Sequence, residues 1–228
     1  MSRPPSIHAA EAPDAPLRTR ARHDPSDPGA LYLTQRRDVD LRTLLRDLGL
    51  TDLSGLRILD AGCGDGGLLA RFVEWGAAPD RLAGVDLSAA RLARAKARVP
   101  GARIERADAA ALPFPDGVFD IVTMCTVLSS IVDPARRAAA LREASRALRP
   151  GGWLIVYDFP WNPLNREVRP VRLGELRRAL PGHRMTARRV TLAPPLARLL
   201  APRAPGFCAF LERLPLLRSH LLVAIGKP

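Results

Sequence analysis

Lysine is almost missing from this chain of 228 residues: Lys96 and Lys227 stand alone, and the other 33 basic side chains are arginine. With 22 prolines and much alanine beside them, the arginines look partly like genomic base composition, which weakens any inference from the net charge of +12 to nucleic acid. Aromatic residues make up only 5%, too few to suggest a base-stacking surface. Cysteine occurs three times, at Cys63, Cys125 and Cys208, widely spaced. That excludes a disulfide framework and zinc-ligand spacing, so no metal site is expected and a reducing cytoplasm is. No apolar run approaches the ~18 residues of a membrane span. The first residues carry prolines where a signal peptide would have an apolar core. Acidic residues, finally, are scarce at one end. Residues 159–228 hold 13 basic side chains against Glu167, Glu175 and Glu212, whereas residues 29–158 hold 18 against 16. The basicity is a C-terminal property, able to steer anionic partners.

Hydrophobic residues make up 47%, enough for one sizeable α/β domain. Residues 1–28, with six prolines, read as a disordered arm, and residues 29–228 as a single domain. From Ala30 to Leu48 apolar residues recur at mostly helical spacing. Strands and helices then alternate. Strands are expected at "LRILDAG", "RLAGVDL", "ARIERAD", "FDIVTMCTVL" and "WLIVYDF". Helices are expected over 66–76, over 89–98 behind the cap Ser88, and over 134–148. A short helix at 173–180 and strands at "HRMTARRVTL" and "HLLVAIGK" would follow. The rhythm predicts a Rossmann-like, doubly wound, mostly parallel seven-stranded sheet. Residues 193–219 form a long insertion before the last strand, with 207–214 helical, and read as a cap or lid.

The chemistry concentrates in "ILDAGCGDGGLL", residues 58–69. A strand must turn sharply into a helix there. Gly62, Gly64 and Gly66 permit positive φ and let a ligand touch the backbone. The helix start behind them suits a carboxylate or phosphate. Ligands of open α/β sheets bind at the carboxyl ends of strands. The spacing G-x-G-x-G differs from the dinucleotide fingerprint. Asp86 ends the second strand, 22 residues after Gly64, where a ribose would lie. Asp108 ends the third, placed for the exocyclic amine of an adenine.

"ILDAGCGDGG", "GVDLS", "DAAALPFPDGVFDIV" and "REASRALRPGGWLIVYDF" together resemble the successive motifs of class I S-adenosylmethionine-dependent methyltransferases, in the subgroup that includes the quinone-biosynthesis enzymes. The resemblance covers about residues 55–160. It implies the seven-stranded sheet with an antiparallel last strand. It also implies that Asp60, Ala61, Gly62, Cys63 and Gly64 surround the methionine part of the cofactor. Asp86 with Leu87 would hold the ribose, Asp108 with Ala109 the adenine, and Cys125 would lie near the methyl donor. The helix "YLTQRRDVDLRTLL" is similar to that of a bacterial small-molecule group in this superfamily, in which Gln35 and Arg37 would sit over the cofactor.

For the acceptor side, the quinone-type enzymes often carry His-His after the fourth strand. Ser129 and Ser130 stand here instead. The expected base is therefore His220, with Asp158 and Ser129 as further catalytic candidates. The expected reaction is methylation, on oxygen, of a small molecule, sugar or natural product, with an anionic or glycan-linked acceptor in view of the basic C-terminus. Methylation of RNA through that basic region is the alternative, although no appended RNA-binding module is visible. A non-catalytic binding protein on the same fold is the third reading.

Overall fold

The computed structural model describes residues 27–161 and 169–228, and the arm read over 1–28 lies outside the described residues apart from its last two positions. Asp27 caps the first helix by accepting from the Gly29 amide at 2.9 Å, and Pro28 occupies a position where no N–H is needed. The elements are α1 (Pro28–Asp47), β1 (Ile58–Ala61), α2 (Gly67–Glu74), β2 (Leu82–Asp86), α3 (Ala89–Arg98), β3 (Arg103–Arg106) and β4 (Phe119–Cys125). After them come α4 (Pro134–Ala147), β5 (Leu148–Asp158), α5 (Leu173–Ala179), β6 (Arg184–Leu192), α6 (Pro194–Leu200), α7 (Pro205–Leu211) and β7 (Arg218–Gly226).

The seven strands form one sheet in the order β3-β2-β1-β4-β5-β7-β6. Strands β1 to β5 pair in parallel, and β7 runs antiparallel to both β5 and β6. The expected sheet and its antiparallel last strand are therefore present.

Alternation along the strands builds two cores, one on each face. Leu59, Val122, Met124, Leu154, Val156 and Val223 point to the face covered by α4 and α5 through Ala140, Leu141 and Leu176. Ile58, Ile121, Ile155, Tyr157 and Leu222 point to the other. There α1, α2 and α3 supply Leu41, Leu44, Phe72 and Leu92. Both faces are covered, so the ligand edge is left at the carboxyl ends of the strands.

The insertion after β6 departs from expectation. It contains two helices and a 3-10 turn at Pro215–Leu217, where one helix over 207–214 is expected from the sequence. Pro194 and Pro195 start α6, and Pro205 starts α7, each in a first turn that tolerates proline. Ala197, Ala201 and Cys208 pack with Tyr32 of α1 and Leu192 of β6 in a third, small core. The cap is thus joined to α1, the first helix among the described residues.

Candidate active site

The glycine loop takes the shape its composition demands. Gly62, Gly64 and Gly66 have φ of 90°, 54° and 76°. A Cβ on Gly62 would lie 2.3 Å from Val127, whereas one on Gly64 would meet nothing within 4 Å. Gly62 is therefore needed for close packing, and Gly64 turns bare backbone toward open space. Cys63, between them, is buried and packs under Gly84, where a Cβ would come within 2.9 Å of its sulfur.

Three acids stand in a row at the ends of β1, β2 and β3. Asp60 is buried and accepts from the Thr123 hydroxyl at 2.7 Å; its other oxygen has no hydrogen bond among the described residues. Burial pushes its carboxyl up to about 6, against the Thr123 bond and the Arg37 charge, which lower it. Such a group is short of a cation. Asp86 accepts from the Gly64 amide at 3.0 Å and from the Ser88 amide at 2.9 Å, so it holds the loop to the second crossover. Each oxygen retains a lone pair for a hydroxyl donor. Leu87 beside it is an exposed apolar side chain. Asp108 accepts from the Ala110 amide at 2.9 Å and pairs with Arg136, while Ala109 is buried in the core.

Arg37 reaches this edge from α1. Its guanidinium holds down both the Asp60 carboxyl and the His220 imidazole, and it bonds Asp38 at 2.6 Å. Gln35 lies two residues earlier, about 200° around the helix, and is exposed. The two side chains therefore leave α1 on different flanks.

On the far side of the cleft Cys125 ends β4 opposite Tyr157. The next residue, Thr126, has φ 57°, a left-handed conformation unusual for a β-branched side chain. Asp158 ends β5 fully buried, with its two oxygens accepting from the Ser129 and Phe159 amides at 3.0 and 2.8 Å. Desolvation pushes it up to about 6. Ser129 is itself buried in a 3-10 turn that this bond fixes. His220 lies near the start of β7, stacked on Tyr157 at 4.7 Å and against Phe159 at 4.2 Å, with Nδ1 3.1 Å from the Ser219 hydroxyl. Burial, helped by Arg37, lowers its pKa to about 3, so it is neutral across the physiological range.

Sequence reasoning missed Thr123, Val127 and the tie from the Tyr157 hydroxyl to Thr191 at 3.0 Å and on to Asp40 at 3.2 Å. Each bridges segments more than 30 residues apart, and local pattern carries no signal of such pairs.

The residues fit a sulfonium nucleoside with an amino-acid tail: a cation-seeking carboxylate at Asp60, an open backbone at Gly64, and carboxylates at the next two strand ends. Comparison with known proteins agrees. Residues 58–152 match a family described as a methyltransferase domain. A ubiquinone/menaquinone biosynthesis C-methyltransferase of Shewanella sp. (strain ANA-3) is 37% identical over 122 residues, covering 50% of this chain and 47% of that protein. The chain spans about half the length, or less, of the curated relatives it matches. Among solved structures, an S-adenosylmethionine-dependent methyltransferase from Mesorhizobium loti is 26% identical with a TM-score of 0.57, covering 81% of this chain and 96% of that one. An amino pentose methyltransferase from Micromonospora echinaspora, 19% identical with a TM-score of 0.60 over 85% and 91% of the two chains, shares the fold. Sheet order and glycine loop are similar to those of class I S-adenosylmethionine-dependent methyltransferases, and the matched segment is similar to a methyltransferase domain. The family match covers residues 58–152, less than half of the chain.

Proposed function

We propose that the protein transfers a methyl group from S-adenosylmethionine to a small-molecule acceptor, most simply to an oxygen. The observation that carries the reading is the row Asp60, Asp86 and Asp108 on three adjacent strand ends, behind a loop whose glycines have positive φ. Asp60 receives the ammonium, the loop amides face the carboxylate, Asp86 takes the ribose hydroxyls and Asp108 the adenine amine. Bound S-adenosylmethionine supplies an electrophilic methyl on sulfur. The protein's part is to align an acceptor in line with it and to exclude water.

The geometry supports the following roles on the acceptor side. Asp158 spends both oxygens on backbone amides, so it positions the 128–130 turn. His220, neutral and braced by two rings, accepts a hydrogen bond from the acceptor hydroxyl and orients it; a base of pKa about 3 is too weak to hold the proton, which passes to solvent as the product leaves. Ser129 is part of the turn. Cys125, partly buried, forms the wall between donor and acceptor. The solved relatives include a C-methyltransferase acting on geranyl diphosphate and an amino pentose methyltransferase. These relatives support an acceptor that is a small natural product, and the arginines of the C-terminal region favour one carrying a negative charge.

Calorimetry with S-adenosylhomocysteine tests the donor half of the reading. Micromolar binding that Asp86→Ala weakens supports it, and absence of binding refutes it. Turnover of candidate hydroxylated acceptors, read as S-adenosylhomocysteine release, tests the other half.

A further inference from the structure

The cap presents its larger apolar side chains outward. Phe207 and Phe210 stand three residues apart on α7, with ring centroids 6.1 Å apart, and both are at least half exposed. Between and beside them Cys208 and Leu211 turn inward to the small core shared with α1. The turn after α7 adds Leu214 and Leu216, the latter 93% exposed. Four large hydrophobic side chains thus form an unpartnered rim, which a soluble surface rarely carries without use.

Charge selects what covers it. Beyond Glu175 the chain has a single acidic residue, Glu212. Glu212 is buried, lying 2.6 Å from Arg36 and accepting from the Leu192 amide at 3.1 Å. The surface of residues 176–228 therefore carries no exposed carboxylate side chain. Arg203 and Arg213 flank the apolar rim, are exposed, and make no ion pair among the described residues. Apolar side chains that can enter an acyl layer, ringed by arginine, match the boundary of an anionic bilayer. A second copy of this chain is a poor occupant, because a two-fold contact would set these arginines against their own counterparts. A nucleic acid would pair with the arginines and leave the leucines without a partner.

We infer that residues 199–217 form a docking surface for anionic membranes, with Phe207, Phe210, Leu214 and Leu216 entering the interface and Arg203 and Arg213 contacting lipid headgroups. The cap follows the carboxyl end of β6 and precedes the start of β7, so it lies on the sheet edge that holds the glycine loop. Docking brings that edge to the lipid. The inference is independent of methyl transfer.

Flotation of the full chain with phosphatidylcholine vesicles, and with vesicles that also contain phosphatidylglycerol, tests it. The chain is expected to float with the anionic vesicles only, and less so as salt is raised. F207S/F210S should weaken binding about tenfold or more, from lost apolar burial. L216S removes a side chain that barely touches the protein, so its weaker binding cannot come from misfolding. R203E/R213E should abolish the preference for anionic lipid. Equal recovery on both vesicles, or on neither, overturns the inference. So does retention on RNA without flotation, or a dimer in sedimentation equilibrium that F207S/F210S dissolves.

Discussion

The pH dependence of cofactor binding should be set by Asp60. Its carboxyl is pushed up to about 6 by burial, and only its ionised form can meet an ammonium. Affinity for S-adenosylhomocysteine should level off near pH ~7 and fall about tenfold per unit below the inflection, as expected for one required ionisation. At pH 5 the carboxylate is about one-tenth ionised, a loss of ~1.4 kcal/mol. The α-amino group of the ligand titrates near ~8 and stays charged throughout this window. Calorimetry between pH 5 and 7.5 measures the curve. Asp60→Asn should lower the plateau and remove the slope. Arg37→Gln should move the inflection upward, because the guanidinium holds the carboxyl down. Stability should show the mirror image. A folded carboxyl raised above its unfolded value stays protonated while the unfolded chain ionises. The ligand-free fold therefore loses stability as pH rises from ~4 to about 6, by on the order of 2 to 3 kcal/mol. Asn at position 60 still accepts from Thr123 and escapes this loss, so its ligand-free melting temperature at pH 7 should rise. A wild-type affinity that does not change between pH 5 and 7, or an Asn variant with the same slope, would sink the assignment.

Other substitutions read out separate parts of the site. Asp86→Ala should weaken cofactor binding at least about tenfold, from lost ribose hydrogen bonds worth ~1.5–3 kcal/mol; unchanged affinity in calorimetry would refute the ribose role. Gly62→Ala drives a methyl to 2.3 Å from Val127 at φ 90°, so a loss of ~2 kcal/mol or more in denaturant melts is expected, with Val127→Ala restoring part of it. Gly64→Ala has room for its methyl, and should cost only the ~1 kcal/mol of its backbone conformation while obstructing the cofactor. His220→Ala should reduce turnover with near-normal cofactor affinity, and the wild-type rate profile should show no step at the usual histidine value, since the imidazole is lowered to about 3. Wild-type turnover in that variant would remove His220 from the acceptor site.

The glycine-loop edge of the sheet was legible because its signals are local. A glycine in a left-handed turn, an acid at a strand end and a serine cap each declare themselves within a few residues. The helix over 89–98 behind Ser88 has the expected bounds, and all seven strands overlap their expected segments, although β5 begins at Leu148, five residues before Trp153. The acceptor half depends on distant pairs. That Asp158 would be consumed by the Ser129 and Phe159 amides, or that two aromatic rings would desolvate His220, follows from the packing of β4, β5 and β7 and not from any one segment. Within the expected helical cap, helix is anticipated only over 207–214; the helix over Pro194–Leu200 is hidden because its prolines look like loop signals, and both helices begin at prolines.

Glu212 ties more together than its single position suggests. It joins α7 to Arg36 of the first helix and to the amide of Leu192 at the end of β6, one residue away from the arginine that overlooks Asp60. The segment matched by the methyltransferase family, residues 58–152, includes neither partner. For anyone building a chimera, the exchangeable part is therefore discontinuous. This cap, moved alone into another domain of the same fold, would arrive without the arginine that pairs with its buried Glu212, and residues 28–47 would have to travel with it.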